Sequence, residues 1–170
     1  MNIINFKLQS EWSLWYHDLS SNNWSLDSYK LIMKIIDYKD LCFIMNQYDN
    51  VNCGMFFIMK NDIKPIFEDK QNINGGYWSL RISKKETSNY WRKLIYYLVI
   101  EGILENSENE KYINGISISP KINNCIFKIW NGDHTKFNIS SLRNDIDIIK
   151  NNDIYYLQHE DKDKEKKKKK

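Results

Sequence analysis

The chain has 170 residues, of which 42% are hydrophobic, 14% aromatic and 28% charged, a balance that suits one domain with its own core and excludes disorder throughout. The net charge of +3 comes entirely from the last eleven residues, which hold seven Lys and four acids; the body before them is formally neutral. A broad basic face for nucleic acid is therefore not indicated for that body, and any phosphate contact must come from a few local cations.

Taken in order, residues 12–17 are short and aromatic-rich and read as a strand, with a polar loop at Ser21-Asn22-Asn23 leading into Trp24. Residues 29–36 read as a second strand. Asp37 is placed to cap a helix carrying Leu41, Ile44, Met45 and Tyr48 at i, i+3, i+4, i+7 spacing. Asn50 and Asn52 flank a turn before a strand over 53–59. Asn61-Asp62 then opens a long loop that holds Pro65, Phe67 and Glu68 and closes at Gly75-Gly76. A fourth strand covers 77–83. Thr87 or Ser88 caps the clearest helix, whose stripe is Trp91, Leu94, Ile95, Leu98 and Val99. Strands follow over 112–119 and 125–131, joined by a hairpin loop at 122–124. Ser140 opens a third helix with Leu142, Ile146 and Ile149 on one face, and 153–158 form a last short strand.

This order predicts an α+β fold: a mostly antiparallel sheet with helices on one side and the other face open to a ligand. Residues 1–10 read as an N-terminal segment, 11–159 as one domain and 160–170 as a disordered, Lys-rich tail. Cys42, Cys53 and Cys125 are spread singly, which suits small buried or half-buried thiols in a reducing compartment. The start shows no signal-peptide pattern, and no apolar run approaches the ~18–20 residues of a spanning helix. A soluble cytoplasmic protein, not attached to a membrane, is expected.

Catalytic signatures are weak. His17, His134 and His159 are scattered, and no HExxH, GxSxG or P-loop appears. Glu68-Asp69 could serve a small nucleotide hydrolase as paired acids, but adjacent acids are more commonly a solvated loop pair. The expectation is a binding protein with no cofactor and no metal. Trp24 and Phe67 sit in polar loops, and Glu68 offers a carboxylate beside Phe67. Flat rings next to an acid suit a positively charged purine.

On these residues the chain resembles the translation initiation factor 4E family. The resemblance covers roughly residues 6–158. It rests on Trp12-Ser13-Leu14-Trp15-Tyr16, Trp24, the 65–78 loop with Glu68-Asp69, Asn72 and Gly75-Gly76-Tyr77-Trp78, then Trp91, Gly115 and Ile129-Trp130. It implies a curved antiparallel sheet backed on its convex face by about three helices. It also implies a monomeric protein that binds the 7-methylguanosine cap of messenger RNA in translation initiation. By resemblance, Trp24 and Phe67 stack on the base, Phe67 standing where the family usually has a second Trp. Glu68 accepts from the guanine edge, and Trp130 meets the methyl group. Lys121 aligns with a phosphate-binding Arg, and Lys128 takes the place of a phosphate-binding Lys whose aligned residue is Ile126; a further family Arg is Tyr77 here. Trp12, Trp15, Trp78 and Trp91 are assigned to the core.

The same resemblance places a partner site on the helices, at Tyr38, Cys42, Arg92 and Lys93, for a scaffold of the initiation factor 4G type or a 4E-binding protein. Cys42 stands for an aromatic anchor there, and Arg92-Lys93 for a Leu-Glu pair. These departures imply a divergent partner with acidic contacts, or a repressor that holds caps without a scaffold.

Overall fold

The computed structural model describes residues 6–47, 51 and 53–159. Seven strands form one curved, open sheet in the order β2-β1-β3-β5-β6-β4-β7, with every neighbouring pair antiparallel. The strands are β1 (Lys7–His17), β2 (Tyr29–Asp37), β3 (Met55–Lys60), β4 (Gly76–Ser83), β5 (Ile113–Pro120), β6 (Asn124–Asn131) and β7 (Ile154–Gln158). Helices α1 (Tyr38–Gln47) and α2 (Thr87–Val99) and the single turn α3 (Asp147–Lys150) complete it, with short 3-10 turns between.

Alternation along the strands separates two faces. Trp12 and Leu14 of β1, Phe56 and Ile58 of β3, and Phe127 and Ile129 of β6 point to the helices. There they meet Leu41 and Ile44 of α1 and Trp91, Leu94 and Leu98 of α2, and this is the main core. Truncating a ring such as Trp78 or Trp91, both fully buried, costs about 3–5 kcal/mol. The intervening residues, among them Tyr29, Met55, Phe57, Met59 and Trp130, form a second, smaller apolar cluster on the opposite face. The helices therefore cover one face and leave the other for a site, as the pattern predicts.

Local departures have local causes. The Asp37 carboxylate accepts from the N–H groups of Lys39 and Asp40 and caps α1 as expected. Tyr48, Asn50 and Asn52 lie outside the described residues, as do residues 1–5 and the 160–170 tail. Glu86 is the N-cap of α2, and Thr87 is already inside the first turn, its hydroxyl donating back to the Ser83 carbonyl at 2.9 Å. β1 begins at Lys7, so 7–10 belong to the sheet and not to a separate leading segment.

The expected helix from Ser140 does not form. Its stretch breaks into a 3-10 turn at Ile139–Ser141, an extended Leu142 bridged to Leu104, and α3. Arg143 N–H donates to the Ile103 carbonyl, and the Arg143 guanidinium grips Asp145 and the Gly102 carbonyl, which pins this stretch to the segment after α2. Leu142, Ile146 and Ile149 are nonetheless all buried. Trp15 is half-buried on the second face, with the Lys64 ammonium 5.3 Å from its ring centre, and does not join Trp12 in the main core. Of the cysteines only Cys125 is buried; Cys42 and Cys53 are exposed.

Candidate functional site

A cavity of about 410 Å³ opens on the face away from the helices. Trp24, Phe67, Glu68, Trp130, Lys121 and Lys128, the six residues expected at the base and phosphates, all line it. Its floor is the second apolar cluster, and two loops form its walls.

The first wall is the β1–β2 loop. Asp18 accepts from the Ser20 N–H and hydroxyl, and Asn23 accepts from the Ser25 N–H and hydroxyl, which folds a short polar stretch back on itself. Trp24 sits in that fold, 50% exposed. One of its faces lies on His17, with ring centres 4.6 Å apart and planes 5° from parallel. His17 is fully buried at the end of β1, and its Nε2–H donates to the Asn23 carbonyl at 2.8 Å.

The second wall is the β3–β4 loop. Asn72 is buried inside it and donates to the carbonyls of Lys64 and Ile66, at 3.0 and 2.7 Å. Asn114 of β5 donates to the Asn72 side-chain oxygen and the Gln71 carbonyl. Asp69 accepts from the N–H groups of Lys64 and Gln71, so this acid builds the turn that presents Phe67 and Glu68. Gly75 closes the loop against β6, where an added Cβ would lie 1.8 Å from the Asn131 carbonyl oxygen, so no other residue fits without a shift.

Trp130 of β6 is buried in the floor, its indole N–H donating to the Ser117 hydroxyl at 2.9 Å and its ring edge-on to Phe57. Charges of both signs line the cavity. Glu68 lies near Tyr29, whose hydroxyl is pushed up to about 12, by burial first and by Glu68 second. Lys121 and Lys128 line the same cavity, and Lys128 is held below its ordinary value by burial and then by Lys121. Two cations this close repel each other, an arrangement that an anion between them relieves. The Lys128 ammonium also sits 3.9 Å from the ring centre of Tyr77.

Two further residues escaped the sequence reading. His17 backs Trp24, and His159, just past β7, packs against Phe67, Tyr77 and Trp130. Burial, then Lys128, pushes His159 down to about 4. The signal for His17 was its alternation with Trp15 on one strand face; nothing local in the sequence marks His159.

Of the expected partner residues, two line a groove and two stand exposed on α1 outside it. Arg92 and Lys93 line a groove of about 390 Å³ with Tyr96, Asp145 and Asp147. Tyr38 and Cys42 are exposed on α1 and do not line that groove, and Tyr38 meets Phe6 edge-on. Lys93 is ion-paired with Asp147 of the same chain, so the groove carries its own acids. Among the described residues, no group of three His, Cys, Asp or Glu side chains could hold a metal. No described helix is long and apolar enough to cross a membrane.

A family model described as eukaryotic initiation factor 4E matches residues 7–170. A eukaryotic translation initiation factor 4E homolog of Acanthamoeba polyphaga mimivirus is 26% identical over 140 residues, covering 69% of this chain and 52% of that protein. Eukaryotic translation initiation factor 4E-3 of Caenorhabditis elegans is 25% identical over 144 residues, covering 78% and 56%. The chain thus spans about half the length of these curated relatives. Among solved structures, Ascaris suum eIF4E-3 with an m7G cap superposes with a TM-score of 0.75 at 21% identity, over 92% of this chain and 93% of that one. A schistosome eIF4E complexed with m7GpppA and 4E-BP gives 0.81 at 18%, over 95% and 92%; both share the fold.

Proposed function

The chain belongs to the eukaryotic initiation factor 4E family, and from that premise we propose that it binds the 7-methylguanosine cap of messenger RNA and acts in translation initiation. The observation that carries this reading is the joint lining of one cavity by Trp24, Phe67 and Glu68 together with Lys121 and Lys128.

Methylation at N7 makes the guanine ring cationic. Trp24 and Phe67 each offer it a face, and a cation over an aromatic face gains roughly 0.5–2 kcal/mol. Glu68 accepts from the N1–H and the exocyclic amine of the same base, two charge-assisted bonds that a neutral acceptor matches poorly. Trp130, in the cavity floor, meets the methyl group. Lys121 and Lys128 take the phosphates, as point charges without the flat fork of arginine. No bond is made or broken in this scheme, so the protein binds and does not catalyse.

The partner is a helical segment of a 4G-type scaffold or of a 4E-binding protein, at the face of α1 and α2. The C. elegans eIF4E-3 and schistosome eIF4E structures contain 4E-binding proteins, Mextli and 4E-BP. A cap-holding repressor is a second reading, favoured by the pairing of Lys93 with Asp147, which uses up within the chain a charge that an acidic partner would need. In either role the protein works as a monomer in the cytoplasm. Retention on immobilised 7-methyl-GDP tests the proposal: free 7-methyl-GTP elutes the protein and GTP does not. Equal elution by GTP overturns it.

A further inference from the structure

The cavity described above has a neighbour. A second one, about 670 Å³, opens beside it, and Trp24, Met55, Ser119 and Lys121 line both. The two therefore share a wall. The second is completed by Leu19, Lys84 and the turn between β5 and β6. In that turn the Lys121 N–H donates to the Asn124 carbonyl at 2.8 Å, and Ile122 stands 95% exposed.

The lining changes character along this path. The first cavity has a carboxylate, Glu68; the second is lined by no acid and by two lysines, Lys84 and Lys121. A nucleotide whose base lies near Glu68 runs its phosphates towards Lys128 and Lys121. Whatever is joined beyond those phosphates arrives in the second cavity. Leu19 and Ile122 offer apolar surface to a base, and Asn123 and Asn124 carry amides that can both donate and accept.

We propose that this second cavity receives the first transcribed nucleotide of a capped RNA and that Lys84 contacts the phosphate that follows it. The proposal rests on the reading of the first cavity as the cap site. The protein reads one nucleotide into the transcript, and a cap joined to RNA is distinguished from a free cap nucleotide by Lys84 and the 120–124 turn.

Titrations with 7-methyl-GTP and with the capped trinucleotide m7GpppApG separate the two readings. Lys84→Ala should leave 7-methyl-GTP affinity unchanged and weaken the trinucleotide about threefold to tenfold, the scale of one ordinary net hydrogen bond or solvent-exposed ion pair. The slope of log affinity against log salt for the trinucleotide should fall by about 0.7, as for one lost contact to a single strand. Ile122→Asp should likewise weaken only the trinucleotide. If 7-methyl-GTP binds but both variants affect the two ligands alike, or neither, the second site is overturned and the cap reading stands. If 7-methyl-GTP does not bind, both fall.

Discussion

His17 lies flat against Trp24, with ring centres 4.6 Å apart and planes 5° from parallel, and it also holds the loop by donating to the Asn23 carbonyl. An exposed indole on a loop would otherwise sample several rotamers and lose that freedom on binding. The imidazole supports one face and leaves the other to the cavity. Preorganisation of this kind raises affinity by lowering the ordering cost.

His17→Ala should therefore weaken 7-methyl-GTP binding by about twofold to tenfold, the scale of one aromatic pair of roughly 0.5–1.5 kcal/mol. His17→Phe keeps the stack and loses the hydrogen bond, so it should fall between Ala and the natural residue. Tryptophan fluorescence titration measures both, alongside thermal unfolding, because His17 is buried.

Asn72 should matter without touching the ligand. Its amide ties together the carbonyls of Lys64 and Ile66 and accepts from Asn114. Asn72→Ala leaves these buried groups without partners, at about 1–3 kcal/mol. Both the unfolding midpoint and 7-methyl-GTP affinity should drop. Asn114→Ala should give a weaker version of the same pair of effects.

Legibility in the sequence differed by kind of feature. The short aromatic-rich run 12–17 marked β1, and the 3.6-residue stripe from Trp91 to Val99 marked α2, because burial on one helix face repeats at a fixed period. Trp24 and the Phe67-Glu68 pair were legible as aromatics and an acid stranded in polar loops. The stretch after Ser140 misled because Leu142, Ile146 and Ile149 are buried by packing against different neighbours rather than along one helix. His159 was illegible for a related reason: it reaches Phe67 and Trp130 only because β7 lies beside β4, a pairing between distant parts of the chain.

That position also gives a pH dependence. His159 is surrounded by Phe67, Tyr77, Trp130 and the Lys128 ammonium, and its pKa is pushed from 6.5 to about 4. Between those values the unfolded chain binds more protons than the folded one. Stability therefore rises with pH across that window and is lost as pH falls from 6.5 towards 4. Urea unfolding at pH 7 and pH 4.5 should show a smaller loss for His159→Gln than for the natural protein.

Glu68 and Phe67 should respond in opposite directions. Glu68→Ala removes both acceptors for the guanine edge, and retention on 7-methyl-GDP should be lost; charged hydrogen bonds are worth about 1.5–3 kcal/mol each. Phe67→Trp enlarges the stacking face and should hold or tighten binding, since indole is the better cation partner. Loss of binding in Phe67→Trp would show a cavity shaped for the smaller ring.

The central claim is that the cavity selects a positively charged base. The ratio of dissociation constants for 7-methyl-GTP and GTP, from quenching of tryptophan fluorescence, tests it most directly. Two aromatic faces acting on the methylated cation should make 7-methyl-GTP at least about tenfold tighter. Equal constants for the two nucleotides would contradict the account.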